Sequence, residues 1–345
     1  MSYRLHLNEN NLLKHKSLKH NLESSLNKSH QYSGKLCDKT ANLIAKYYNI
    51  CRENIAVFNG LDEAIFFTTL YCSLFLKGTI VTTEKTYDTI NECCIALNNN
   101  IVQFGLSDNR INIKSLCIDI EKHIQNNGSI SLCYICNPHN PTGSIMNGSI
   151  NKLLKLAKKN NFLVFVDEAY IEYIDEKKYK LEERLLNENI IIGRTFSKAF
   201  GLAGLRCGYI ITKNRQFLRW IAQINNALLY KENIVNVSAI KTVLFEENLL
   251  EITRKNTVMN RKLLEKILVK HRIDFLKSHT NFILIHPPYP IANFICYARE
   301  KFDILLFDAS YFGWDGYVRI TIGTKEAINQ IEKFLIQIEK ENYKV

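Results

Sequence analysis

Lys198 sits in the stretch TFSKAFGLAGLRCGY, Thr195 to Tyr209, between a serine and a run of small residues that ends in Arg206. A lysine amine can form a Schiff base with an aldehyde and can then carry a proton. Two other segments hold residues with complementary chemistry: NPHNPTG, with the amide of Asn140, and DEAY, with the carboxylate of Asp167. Each of the three follows an apolar run that reads as a strand. Ligands of open α/β sheets bind at the carboxyl ends of strands, so Asn140, Asp167 and Lys198 are expected to converge on one crevice. Taken singly they have plain structural readings: a turn at Asn140 before Pro141, a helix cap at Asp167, a solvated lysine at 198. Only their order and spacing together point to a site.

The elements that must position them are legible in the hydrophobic pattern. From about residue 40 to 235, apolar runs alternate with helical patterns, the mark of a layered α/β domain with a mostly parallel sheet. The expected strands are NIAVFNG, GTIVTTE, NIVQFGL, SLCYICNP, FLVFVDEAY, NIIIGRTFS and CGYIIT. Between two of them, Ile150, Leu153, Leu154 and Ala157 fall on one helical face behind Ser149 as N-cap, which predicts a crossover helix over 149–161. After residue 236 the pattern changes to long helices and a few strands, around SHTNFILI and YVRITIG. A terminal helix follows with Ile328, Ile331, Leu335 and Ile338 in register. The expected organisation is an arm over 1–40, a large domain over 41–235 and a smaller α+β domain over 236–345.

Composition bounds the function. With 345 residues, 46% of them hydrophobic and 23% charged, the chain is neither disordered nor fibrous. No apolar run reaches the roughly 18 residues of a membrane span, and MSYRLHLNEN lacks the apolar core of a signal peptide, so the expectation is a cytoplasmic protein. Ten scattered cysteines read as reduced thiols. Cys133 and Cys136 lie three apart in a strand and face opposite sides, which argues against a metal pair, and no metal site is expected. The net charge of +11 comes from lysines spread along helix faces, without an aromatic-interleaved basic block, and nucleic acid is not an expected partner.

Taken in order, the three motifs resemble those of pyridoxal-phosphate enzymes of the aspartate-aminotransferase fold (fold type I), nearest to the branch of histidinol-phosphate aminotransferase and threonine-phosphate decarboxylase. The resemblance runs from LNEN at 7–10 to VRITIGT at 318–324. It implies pyridoxal 5′-phosphate as cofactor, with Lys198 holding its aldehyde and moving a proton between substrate and cofactor. Asp167 is implied as the carboxylate that keeps the pyridine nitrogen protonated. Asn140 and Tyr170 match the donors to the phenolic oxygen, and Tyr87 matches the aromatic that stacks on the ring, although Lys85 stands where the family usually has proline. For the phosphate, the resemblance implies backbone donors at a helix opened by Leu61, Asp62 and Glu63 behind Gly60, together with Ser197 and Arg206. Tyr32 resembles a tyrosine that reaches the cofactor of a second subunit, which implies a homodimer with shared sites, although Ser33 replaces the usual proline.

Arg319 in VRITIG matches the arginine that clamps the substrate carboxylate, and Asn10, in the remnant Asn8-Glu9-Asn10 of a longer family motif, is a further substrate-binding candidate. Where the histidinol-phosphate branch carries Leu-Arg-Asp with a phosphate-binding arginine, this chain has Leu306, Phe307 and Asp308. That change implies an aminotransferase for a non-phosphorylated L-amino acid, with a 2-oxo acid as acceptor. Phe307, with Tyr311, Phe312 and Trp314 nearby, suggests an apolar or aromatic side chain, although core packing explains such residues equally well. The alternatives are a histidinol-phosphate aminotransferase, a decarboxylase of the threonine-phosphate type, or a non-catalytic cofactor-binding sensor. The last needs a DNA-binding module ahead of the domain, for which 40 residues of arm leave little room.

Overall fold

All seven apolar runs expected as strands form one sheet. The computed structural model describes residues 2–13, 15, 17–32, 36–174, 181–228 and 233–341. A short strand β1 (Tyr3–Arg4) comes first. The seven follow as β2 (Ile55–Phe58), β3 (Thr79–Thr83), β4 (Ile101–Phe104), β5 (Ile130–Cys136), β6 (Leu163–Asp167), β7 (Ile190–Thr195) and β8 (Gly208–Ile211). Their spatial order is β2-β8-β7-β6-β5-β3-β4. Strands β4, β3, β5, β6 and β7 pair in parallel, while β8 runs antiparallel to both β7 and β2.

The strands are apolar on both faces because helices cover both. Val57, Val81, Cys133, Val164, Ile192 and Ile211 enter one core, while Phe58, Ile80, Tyr134, Phe165, Ile191 and Ile210 enter the other. Cys133 and Cys136 fall into different cores, as the two-residue period requires. The expected crossover helix spans Ile150–Asn160, with the Ser149 hydroxyl accepting from the Asn151 N–H at 3.3 Å. Because β5, β6 and β7 are adjacent and parallel, their carboxyl ends deliver the Asn140, Asp167 and Lys198 loops to one edge.

A second sheet forms from β9 (Asp274–Phe275), β10 (Phe282–His286), β12 (Phe307–Asp308) and β13 (Val318–Thr321), in the order β12-β13-β10-β9 and antiparallel throughout. It shares a third core with the terminal helix, Lys325–Lys340, through Ile328, Ile331, Leu335 and Ile338. Strand β11 (Ile304–Leu305) pairs with β1, and the buried Leu5 joins this core. The division placed at 236 falls inside the helix Ile234–Phe245. That helix is apolar on opposite faces, and its Ala239, Ile240, Val243 and Leu244 pack in the first core. Packing changes over within the next helix, Leu249–Lys270, whose Leu249 joins the first core and whose Leu264, Ile267 and Leu268 join the third.

One close approach fixes the floor of the site. Gly208 on β8 lies so near the start of helix Leu61–Tyr71 that a Cβ there would stand 2.6 Å from Gly60 C and Leu61 N. Gly208→Ala is therefore expected to force strand and helix apart and to cost about 1–3 kcal/mol, read from the urea midpoint. An unchanged midpoint would mean that the approach is not tight.

Candidate active site

Two chambers meet at Lys198. The first, about 340 Å³, is lined by Leu61, Asp62, Tyr87, Cys136, Asn140, Asp167, Tyr170, Thr195, Ser197, Lys198 and Arg206, with Leu7 and Glu9 from the arm. The second, about 270 Å³, shares Leu7, Tyr87, Asn140, Tyr170 and Lys198 with it and adds Asn8, Asp88, Thr89, Glu92, Phe307, Tyr311, Phe312 and Arg319.

Lys198 is half-buried, and its Nζ donates to the Leu7 carbonyl at 2.9 Å. Desolvation first, and then the positive charge of Arg319, bring its pKa down from 10.5 to about 8; Asp62 and Glu9 oppose the shift and Arg206 adds to it. At neutral pH the amine still holds its proton most of the time, but it gives it up at a lower pH than a solvated lysine does. Asp167 lies at the end of β6 and is buried. Its Oδ2 accepts from the Tyr134 hydroxyl at 2.7 Å, and its Oδ1 accepts from the Ala169 N–H at 2.9 Å. Burial pushes its pKa up to about 6 despite these two donors. The next residue, Glu168, turns the other way to Arg184 and to Arg194 of β7 (Arg194 Nε to Oε2, 3.0 Å). Burial acts against its charge, but the two arginines outweigh it and lower its pKa. The sequence DE thus resolves into a carboxylate that lines the chamber without a cationic partner among the described residues, and a structural ion cluster.

At the opposite end of the first chamber, Arg206 donates to Asp62 Oδ2 at 3.1 Å and to the Ser197 hydroxyl at 3.5 Å, while the Thr195 hydroxyl donates to Ser197 Oγ at 3.0 Å. Leu61 and Asp62 open the helix behind Gly60, whose φ of 93° suits only glycine. Backbone donors, a hydroxyl and a guanidinium therefore gather at one helix start, a set suited to an anion. Glu63 stands apart from the lining; its carboxylate turns back to accept the Asn59 N–H at 2.7 Å, closing the helix end as a side-chain cap. Tyr87 donates to Asp62 Oδ1 at 3.0 Å. The backbone at Lys85, where proline was expected, adopts a φ of 54°, which proline cannot reach, and its carbonyl accepts from Trp314 Nε1 at 2.9 Å.

In the second chamber Arg319 is buried and grips Asn140 Oδ1 through Nη1 (2.6 Å) and the His6 carbonyl through Nη2 (2.8 Å), while its Nε lacks a partner among the described residues. Phe307 stands opposite Arg319 across the β12–β13 pair, with its ring centroid 4.2 Å from the guanidinium carbon. Asn10 does not line either chamber. Its amide donates to the Ala199 carbonyl at 2.9 Å and fastens the arm beneath the Lys198 loop. Asn8 takes the chamber position instead, donating to the Tyr170 hydroxyl at 2.9 Å and accepting from Thr321 Oγ1 at 3.2 Å. Tyr32 is 84% exposed and lies outside both chambers of its own chain.

The sequence motifs do not mark Leu7, Asn8, Glu9, Asp88, Thr89 and Glu92 as lining residues, nor Tyr134 as the partner of Asp167. Asn8 had a signal, the LNEN motif, but nothing in that motif said which asparagine turns inward. Tyr134 reads as core in SLCYIC and reveals its role only once β5 is set beside β6.

The lowered pKa of Lys198 has a stability consequence. Between about 8 and 10.5 the unfolded chain holds the proton more firmly than the folded one, so this residue's contribution to stability rises with pH through that window. Below it, the folded state carries a poorly solvated charge. Lys198→Met in the cofactor-free protein is expected to raise stability at pH 7 by on the order of 1–3 kcal/mol, with the gain shrinking toward pH 10.5. Parallel urea titrations check it, and a gain independent of pH would contradict it.

The family Aminotransferase class I and II matches residues 4–335. A histidinol-phosphate aminotransferase from Staphylococcus aureus (strain MSSA476) is 28% identical over 98% of this chain and 92% of its own. Among solved structures, the histidinol-phosphate aminotransferase from Clostridium acetobutylicum superposes with a TM-score of 0.87 at 23% identity, covering 98% of this chain and 99% of that one. The enzyme of the same name from Sinorhizobium meliloti, solved in complex with pyridoxal-5′-phosphate, superposes with a TM-score of 0.86 at 20% identity over 99% and 92%. With a match that spans nearly the whole chain and a fold of the type its motifs implied, the chain belongs to the aminotransferase class I and II family.

Proposed function

We propose that this aminotransferase uses pyridoxal 5′-phosphate to move the amino group of a non-phosphorylated L-amino acid to a 2-oxo acid. The observation that carries the cofactor reading is the pairing, in one chamber, of the Lys198 amine with the buried, cation-free carboxylate of Asp167. The residues fit the group. Ser197, Arg206 and the backbone at Leu61 and Asp62 would hold its phosphate, Asn140 and Tyr170 its phenolic oxygen, and Tyr87 its ring face, while Asp167 would gain the cation it lacks in a protonated ring nitrogen. When bound, the cofactor supplies an electron sink for charge developing on the substrate α-carbon.

The chain's own residues do the rest. Lys198, with a pKa near 8, accepts and returns the α-proton. Arg319, fixed by Asn140 and the His6 carbonyl and with its Nε unpartnered among the described residues, is the guanidinium this reading assigns to the substrate carboxylate. A carboxylate bound by Arg319 would be retained rather than lost, which is the reason this reading prefers transamination to decarboxylation. Tyr32, exposed and remote from its own chambers, is the residue this reading assigns to the partner's cofactor phosphate in a homodimer.

The substrate departs from that named for the relatives because the second chamber is poor in phosphate ligands. Phe307 occupies the expected arginine position, and the cations that line the chamber among the described residues are Lys198 and Arg319, both engaged in the roles above. Losing a hydrogen-bonded guanidinium contact costs on the order of 2–5 kcal/mol, roughly one and a half to three and a half powers of ten in kcat/KM. Wild type is thus expected to turn over at least one of phenylalanine, tyrosine and leucine with a higher kcat/KM than histidinol phosphate, and Phe307→Arg to shift the ratio toward the phosphate ester by tenfold or more, on the order of one lost contact. Histidinol phosphate as the best wild-type donor would overturn the substrate reading. Carbon dioxide released in step with donor consumption would replace transamination by decarboxylation.

A further inference from the structure

The second chamber combines features that a purely apolar side chain would not use. Helix Thr89–Ala96 presents Asp88 and Glu92 to it, while Phe307, Tyr311 and Phe312 supply aromatic wall. In a chain of net charge +11, two carboxylates in one small chamber run against the general balance. Acids at the start of a helix also have an ordinary role, since they complement its dipole, so the pair alone assigns nothing. The second observation is Arg319, 4% exposed, lining the same chamber with its Nε unpartnered among the described residues. A buried guanidinium with a donor to spare calls for an anion. A ligand that meets both demands carries a carboxylate at Arg319 and a positive charge toward Asp88 and Glu92.

We propose that the preferred amino donor has a cationic side chain, an ammonium, guanidinium or imidazolium, received by Asp88 and Glu92, with its carbon stem or charged face against Phe307, Tyr311 and Phe312. The proposal rests on the transaminase reading in assigning the carboxylate to Arg319. The aromatic residues suit such a ligand twice over, covering its apolar stem and offering π faces to its charge. Asp88 keeps capacity for it: Oδ1 accepts from the Asn91 amide at 2.6 Å, and a carboxylate has two oxygens. A phosphate ester in this chamber would meet two carboxylates of its own charge sign, and Phe307 in place of an arginine fits the same change in charge preference.

Binding can be read without turnover. Calorimetry of the cofactor-loaded enzyme compares 4-aminobutanoate, 5-aminopentanoate and 6-aminohexanoate with butanoate, pentanoate and hexanoate. The amino probes are used as their N,N,N-trimethyl derivatives, whose quaternary nitrogen cannot form an imine with the cofactor, so a failed transamination and a failed charge preference are separate results. At least one amino acid probe is expected to bind about threefold or more tightly than the alkanoate of its length, as a pair with the half-buried Asp88 and the exposed Glu92 allows. The Asp88→Asn/Glu92→Gln double variant should collapse that ratio toward one. Should the double variant not fold, Glu92→Lys serves instead and should shift the preference toward pentanedioate. Alkanoates that bind as well as every amino probe in wild type would overturn the proposal. So would a ratio that persists in the variants, or a variant in which both affinities fall in equal proportion, since the acids would then serve only the helix.

Discussion

The constraint on which the site depends is that one amine must be kept poorly solvated at the junction of two chambers. Lys198 meets it through position: it follows β7, the Leu7 carbonyl takes one of its hydrogens, and Arg319 stands close enough to oppose its charge. If the arm were absent, the carbonyl that holds Nζ would go with it. The first residues of the chain therefore help to build the site. Leu5 anchors them in the third core, Asn8 bonds Tyr170 and Thr321, and Asn10 fastens to the Ala199 carbonyl.

Around that amine the charges are segregated. Arg184 and Arg194 neutralise Glu168, while the DEAY loop presents Asp167 to the chamber with no cationic partner among the described residues. Asp62 is shared by Arg206 and Tyr87 and sits where an anion would otherwise meet bare helix donors. It holds the arginine in place. The close approach of Gly208 to Gly60 and Leu61 sets how near β8 and this helix start can come.

Much of this was legible in the sequence, for reasons that differ by element. The seven strands stood out because a sheet covered on both faces is apolar without interruption, and runs such as SLCYIC and NIIIG have no other economical reading. The ends of β5, β6 and β7 then located Asn140, Asp167 and Lys198 by topology alone. Register across the second sheet was not legible. That Phe307 lies opposite Arg319 depends on the β12–β13 pairing, and the flanking residues indicated only the match. Glu63 and Asn10 were assigned by their neighbours in the chain, yet a helix start and an extended arm send successive side chains in different directions: Glu63 turns back to Asn59, and Asn8 faces the chamber in place of Asn10. The helix Ile234–Phe245 was assigned past the domain division because a helix apolar all round does not announce which core it joins.

The central claim is that Lys198, and no other lysine, bonds to the cofactor. Borohydride reduction of the cofactor-loaded protein followed by peptide mapping tests it directly. The account predicts a pyridoxyl group on the peptide that contains TFSKAFG, at Lys198, and none on that peptide in Lys198→Ala. A stable pyridoxyl group on a different lysine, with Lys198 unmodified, would contradict it.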